Sequence, residues 1–259
     1  MINDITNNKK REAISEWQQH TVFDATLYDA VSPGYYDRVL ERGQGVQWFW
    51  HYYRYAAVVA NLPQNGQSIL DLGCGPGTFL GHYAERFSHA VGVDLAAAQI
   101  DYANRKYGSE RLQFTTNDAL EFRGKSKFNV VVSIEVIEHL PATKTQAFLK
   151  TIYDLLMPGG IIILATPNYA SLWPAIEWCV SKVGHVDYLR QHINQFTVSR
   201  LEQELSDAGF IVENRQTIFV ISPFLAFASS RIAEWIYRFE RRFLPWCGSE
   251  IVMSARKRD

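Results

Sequence analysis

Residues Ile69 to Thr78 read Ile-Leu-Asp-Leu-Gly-Cys-Gly-Pro-Gly-Thr, so that glycines at 73, 75 and 77 follow directly on an apolar run. Glycine adopts positive φ freely and lets a ligand approach the backbone with no Cβ in the way. The loop therefore reads as a seat for a small molecule, with purely structural glycines as the competing account. Its spacing narrows the occupant. A dinucleotide fingerprint needs Gly-x-Gly-x-x-Gly, and Pro76 removes a backbone N–H that a pyrophosphate would use. No Gly-Lys-Ser/Thr follows, which excludes a Walker-type phosphate loop.

Further polar groups stand at the ends of later apolar runs. Asp94, after Gly92-Val93, can accept from both hydroxyls of an adenosine ribose, each charge-assisted bond contributing roughly 1.5–3 kcal/mol; equally, it can cap a helix that begins at Ala96 or Ala97. Asn117-Asp118-Ala119 can read the edge of an adenine ring, or again cap a helix. Three polar ends after three successive strands favour one shared nucleoside site. After the fourth run stands Glu135-Val-Ile-Glu138-His139. His139 can act as a general base with a pKa in the working range, oriented by Glu135 or Glu138. A structural histidine bonded to backbone at the turn before Pro141 is the alternative. His185 and His192 are weaker candidates, and no set of metal ligands is read.

The elements that must position these residues follow from hydrophobic periodicity and the punctuation between runs. After an aromatic, helical lead-in at 44–61, the turn residues Pro63, Asn65 and Gly66 introduce strand one at 68–72. A helix at 78–87, a strand at 89–94, a helix at 97–107 and strands at 111–116 and 128–134 come next. Thr143 is expected to cap a helix running to Leu156, which Pro158-Gly159-Gly160 ends before a strand at 161–166. Such alternation predicts an α/β fold with a doubly wound, mostly parallel sheet and helices on both faces. A helix at 197–208, a strand at 210–218 and a last strand at 250–255 complete the pattern.

The chain has 259 residues, 26 Lys+Arg against 27 Asp+Glu, and 47% hydrophobic residues. That composition excludes wholesale disorder and gives no basic footprint for nucleic acid. The three cysteines, Cys74, Cys179 and Cys247, are too far apart to form paired metal motifs. Met1 to His20 lacks the apolar run of an export signal, and no stretch is long and apolar enough for a bilayer span. A cytoplasmic protein, or one peripheral to a membrane, is expected.

Taken in order, Leu70-Asp-Leu-Gly-Cys-Gly-Pro-Gly77, Gly92-Val-Asp94, Asn117-Asp118-Ala119, Phe128 to Leu140 and Leu156-Met-Pro-Gly-Gly160 resemble the class I S-adenosylmethionine-dependent methyltransferases. The Glu-Val-Ile-Glu-His-Leu run resembles their small-molecule branch, which includes ubiquinone-biosynthesis O-methyltransferases and enzymes that decorate natural products or glycans. The resemblance implies a Rossmann-like sheet of seven strands with the last antiparallel, and S-adenosylmethionine as cofactor. It implies that Gly73, Cys74, Gly75 and Gly77 line the methionine and ribose, with Asp71 near the amino group and Asp94 on the ribose. Leu95 would cover the adenine, Asn117, Asp118 and Ala119 would read its edge, and Ile134-Glu135 would lie beneath the methionine. Tyr36 and Arg54 are candidates for closing the pocket, Arg54 as a bidentate partner of the methionine carboxylate; an aromatic helix merely packed on the sheet is the alternative.

These expectations divide the chain into a helical and aromatic cap over residues 1–62 and a methyltransferase domain over 63–259, with lid insertions near 167–196 and 221–247. In the irregular-looking stretch 167–196, Leu172, Trp173, Ile176, Trp178, Tyr188 and Phe196 suit a lid over a hydrophobic or sugar-bearing small-molecule acceptor, with a helical cap as the competing account. Residues 224–244 recur with the spacing of an amphipathic helix that can cover the site, form a homodimer contact or lie on an anionic membrane. The expected activity is methylation of an acceptor hydroxyl. A non-catalytic S-adenosylmethionine-binding module that works through partners is the alternative. Nucleic-acid methylation is disfavoured, because Ile134-Glu135-Val136 stands where base-modifying relatives carry Asn/Asp-Pro-Pro-Tyr/Phe.

Overall fold

Val130, Val131 and Val132 are consecutive and all fully buried, a pattern that a strand covered on both faces explains. They lie at the centre of a sheet. A computed structural model describes residues 31–64, 66–124, 126–183 and 188–258; Met1 to His20, Asn65 and His185 fall outside the described residues. The strands are β1 (Gly66–Leu72), β2 (Phe87–Asp94), β3 (Leu112–Thr116), β4 (Phe128–Ile134), β5 (Leu156–Pro167), β6 (Phe210–Ile218) and β7 (Glu250–Lys257). Their order across the seven-stranded sheet is β3-β2-β1-β4-β5-β7-β6. Pairings from β3 to β5 are parallel, whereas β7 runs antiparallel to both β5 and β6.

The helices are α1 (Tyr35–Arg42), α2 (Val46–Val59), α3 (Thr78–Tyr83), α4 (Ala97–Tyr107), α5 (Thr145–Leu155), α6 (Trp173–Val183), α7 (Tyr188–Gln191), α8 (Val198–Asp207), α9 (Ser222–Leu225) and α10 (Ser230–Phe243). Period-two alternation divides each strand between two cores. Ile69, Val130, Val132, Ile163 and Val252 face one layer with Phe49, Phe79, Ile100 and Tyr237 of α2, α3, α4 and α10. Leu70, Val131, Ile162, Leu164 and Met253 face the other, with Phe148, Ile152, Leu201 and Leu205 of α5 and α8. Strand order reverses between β1 and β4, and in open sheets of this kind the crevice at that switch point takes the ligand.

Three local expectations are corrected. Thr143 does not cap α5: a short 3-10 turn over Ala142–Lys144 precedes it, the helix begins at Thr145, and its N-cap residue is Lys144. Pro158-Gly159-Gly160 does not separate α5 from the next strand. Leu156 is already extended and pairs with Phe128, and a register shift before the Val130–Ile161 pair takes up the extra residues. The segment 167–196 is not irregular but carries α6 and α7, with Trp173, Ile193 and Phe196 buried. No described helix is long and apolar enough to cross a membrane.

Candidate active site

The loop after β1 owes its shape to three left-handed glycines, with φ of 84° at Gly73, 51° at Gly75 and 73° at Gly77. The Gly73 and Cys74 N–H groups both donate to the Val93 carbonyl, at 2.7 and 3.0 Å. A Cβ at Gly73 would lie 2.2 Å from Val136 Cγ2, and one at Gly77 2.6 Å from Phe114 Cε1. These two glycines are required by packing. At Gly75 a Cβ would meet nothing within 4 Å, so this backbone faces open space. Cys74 is buried, and desolvation, with Asp71 and Asp94 nearby, holds its thiol well above the usual range.

Carboxylates surround this loop. Asp94 accepts from Gly75 N through Oδ2 at 2.8 Å and from Ala96 N through Oδ1 at 2.9 Å. It thus braces the glycine loop and holds the entry to α4 at once. Leu95, next to it, is 45% exposed. Asn117 N donates to the Asp94 carbonyl, and Asp118 Oδ1 accepts from Leu120 N, which brings the ends of β2 and β3 beside the loop. Ala119 packs against the second core. Asp71, at the end of β1, is 2% exposed and its Oδ1 has no hydrogen-bond partner. Burial, with Asp94 adding to it, pushes its carboxyl up to about 8.

Across the switch point, Ile134 ends β4 and Glu135 turns the chain with φ 57°, a left-handed conformation that is uncommon for a residue with a Cβ. Glu135 Oε2 accepts from Arg54 Nη2 at 3.0 Å, and its Oε1 has no partner. Desolvation holds Glu135 well above the usual range against the pull of Arg54. Arg54 Nε donates to Glu250 Oε1 at 2.5 Å, and Trp50 Nε1 donates to Glu250 Oε2 at 3.1 Å. The expectation of an Arg54 fork presented to a ligand carboxylate is therefore corrected. Its Nε and Nη2 neutralise two glutamates of the protein, as burial of so many charges demands. Tyr36 lies edge-on to His51 with ring centres 4.9 Å apart, and His51 Nδ1 is 3.5 Å from Arg54 Nη1.

His139, the residue expected to act as base, is bound to the backbone. Its Nδ1 is 3.0 Å from the Gln191 carbonyl, and burial, together with neighbouring His192, drives its pKa down to about 3. The backbone contact is the one expected of a structural histidine. The weaker candidate is the better anchored: His192 Nδ1 lies 2.6 Å from Glu177 Oε1, which also accepts from Tyr169 Oη at 2.7 Å. Glu138 accepts from Thr166 Oγ1 at 2.9 Å through Oε2, while its Oε1 has no hydrogen bond. Ligand atoms of Glu138, His139 and His192 lie within 4.8 Å of one another. Two imidazole nitrogens and a carboxylate oxygen make a donor set that can hold a divalent ion.

Glu177, Glu250 and the standing of His192 were not foreseen. Glu177 had a signal in the sequence, as the lone acid in the apolar stretch Trp173 to Val180. Glu250 had none, because its role depends on β7 lying beside α2.

A cationic nucleoside ligand fits these residues. Asp71 and Glu135 each hold a buried carboxylate oxygen without a partner, and such oxygens are costly to leave unsatisfied. Gly75 leaves its backbone open to a ligand, since a Cβ there would meet nothing within 4 Å.

Comparison with known proteins agrees. Residues 49–214 match the family described as methyltransferase domain. The ubiquinone biosynthesis O-methyltransferase of Bartonella tribocorum is 32% identical over 136 residues, 51% of this chain and 52% of that protein. Its counterpart from Rhodopseudomonas palustris is 30% identical over 169 residues, covering 61% and 64%. The chain thus spans about half to just under two thirds of the length of these relatives. Magnesium protoporphyrin IX methyltransferase of Synechocystis, solved with bound SAH, superposes with a TM-score of 0.62 at 18% identity over 91% of this chain and 96% of that one, a likeness of fold. With the family matched from α2 through the glycine loop, β4, α6 and α7, this chain belongs to the methyltransferase domain family.

Proposed function

We propose that the protein is an S-adenosylmethionine-dependent methyltransferase that methylates a hydroxyl of a small hydrophobic, natural-product or glycan-type acceptor. The observation that carries this reading is the pair of unpartnered buried oxygens, Asp71 Oδ1 at the end of β1 and Glu135 Oε1 after β4, at the two strands between which the strand order reverses. Asp71 would hold the amino group of the cofactor, Asp94 the ribose and Leu95 the adenine face, with Asp118 on the edge of the ring. When bound, the cofactor supplies a methyl group already activated by its sulfonium. What remains for the chain is to position the acceptor and take its proton, and positioning accounts for much of the rate. Trp173 of α6 and Trp50 of α2, with ring centres 5.7 Å apart, form an aromatic wall for an apolar acceptor.

The proton would go to the group around Glu138 and His192 rather than to His139. An imidazole fixed at one nitrogen by a carboxylate, as Glu177 fixes His192, has the orientation a general base needs. His192→Ala is expected to lower kcat by roughly 10²–10⁴-fold with cofactor affinity retained, whereas His139→Ala keeps most turnover. The reverse ranking would return the base to His139.

The reading is tested by calorimetric titration of S-adenosylmethionine and S-adenosylhomocysteine, with NADH as control, into wild type and Asp94→Ala, followed by methyl transfer to a panel of phenols, catechols and glycosides. Binding of both sulfur compounds that is lost in Asp94→Ala, together with turnover on a hydroxyl acceptor, is the expected result. Binding without turnover on any acceptor would leave the non-catalytic module as the function.

A further inference from the structure

Among the described residues, the surface least explained by methyl transfer is the outer face of α10 and its flanks. Ile232, Trp235, Phe239 and Phe243 recur at intervals of three, four and four residues and are 56, 67, 46 and 59% exposed, so they form one apolar stripe along the helix. Phe227 before the helix and Trp246 after it extend the stripe, at 88 and 71% exposure. The helix is held to the body by a different face, through buried Ala233, Tyr237 and Glu240. Ser229 Oγ accepts from Ile232 N at its start. Glu240 accepts from the backbone N–H groups of Val220, Ile221 and Ser222, which fixes the preceding turn. The stripe is thus presented rigidly, and exposed apolar patches of this extent mark interaction sites.

Charge selects the occupant. Arg231, Arg238 and Arg242, all exposed, recur at seven and four residues along one flank of the stripe. The one acid of the helix that is not buried, Glu234, is already bonded to Arg238 at 2.6 Å. A second copy packed antiparallel on this stripe would set the same arginine flank against itself. No acidic residue on the other flank would compensate a parallel copy.

We infer that this face is a membrane-docking surface, which seats the aromatic stripe at the headgroup boundary of an anionic bilayer while the arginines reach the phosphates. Tryptophan and phenylalanine with flanking arginines are the side chains that such a boundary takes. The surface is continuous with the interior: Phe224 packs 6.2 Å from the Trp50 ring, and Trp50 donates to Glu250. The inference goes beyond methyl transfer and stands without it.

The test uses the full chain and vesicles of phosphatidylcholine with or without one quarter phosphatidylglycerol, read by co-sedimentation and by tryptophan emission. Wild type is expected to bind the anionic vesicles at least about tenfold more tightly than the neutral ones, with a blue shift and with loss of binding at high salt. Trp235→Ser with Phe239→Ser, and separately Arg231→Gln with Arg242→Gln, are expected to lose that binding while keeping wild-type thermal midpoints and S-adenosylhomocysteine affinity. Wild type that ignores anionic vesicles, or apolar-stripe variants that bind as wild type does, would overturn the inference. So would sedimentation of wild type as a dimer that Trp235→Ser with Phe239→Ser splits, since the stripe would then belong to a second copy.

Discussion

Asp71 is held at about 8 by burial and by Asp94, so near pH 7 the empty protein carries it largely as the neutral acid. The sign of its effect on stability follows. Its folded value lies above its ordinary 3.8, so its contribution to stability is full below about pH 4 and is lost as pH rises through about 8. A bound ammonium group reverses the preference, because it favours the anion. Binding of S-adenosylhomocysteine at pH 7 should therefore release close to one proton per site from Asp71 and tighten as pH approaches 8. Calorimetry in buffers of different ionisation heat measures the release directly. In Asp71→Asn that proton is expected to disappear and affinity to fall at least about tenfold, the scale of one charge-assisted bond. Unchanged release in the variant would assign the proton to another carboxyl.

The glycine loop separates a folding role from a binding role within three alternate positions. Gly73→Ala puts a Cβ against Val136 Cγ2 at 2.2 Å as well as into a left-handed backbone, which alone costs roughly 1–2 kcal/mol. Gly75→Ala carries only the backbone cost, since nothing lies within 4 Å of its Cβ. Urea unfolding should therefore show Gly73→Ala as clearly the less stable of the two. Calorimetry should show Gly75→Ala folded but weakened toward S-adenosylhomocysteine, because its methyl stands where the ligand approaches. A Gly75→Ala protein that binds like wild type would place the ligand on the other side of the loop.

Across the whole molecule, Arg54 joins parts of the chain that no local rule connects. It lies on α2, bonds Glu135 after β4 and Glu250 at the start of β7, and is itself 7% exposed. Removing the cation from such a group leaves uncompensated buried charge and typically costs about 3–5 kcal/mol. Arg54→Met is expected to lose stability on that scale in urea unfolding. The loss should shrink as pH falls and the two glutamates take up protons, because their folded-state values, already raised by desolvation, would rise further above the unfolded ones without the cation. Adding Glu250→Gln to Arg54→Met should restore part of the stability by removing one of the two orphaned charges. A single variant as stable as wild type at pH 8 would mean that the group is solvated and ties nothing together.

The sequence by itself determined the sheet and the shape of the glycine loop. Val130-Val131-Val132, the run 97–107 and the Gly73-x-Gly75-x-Gly77 loop each carry their structure in neighbouring residues, through periodicity or backbone freedom, so reading them needs no knowledge of distant contacts. Asp94 was legible as a polar strand end for the same reason, and its contact with Ala96 N is the helix-cap contact expected as the alternative to ribose binding, while its hold on Gly75 was visible only in the structure. The surroundings of the histidines and of Arg54 were decided by tertiary structure alone. His139 is buried beside His192, which lowers its pKa, and His192 is held by Glu177 of α6. Arg54 meets Glu250 across 196 residues of chain because β7 inserts between β5 and β6. Desolvation and charge pairing depend on which groups the topology brings together, and residue types along the chain do not record that.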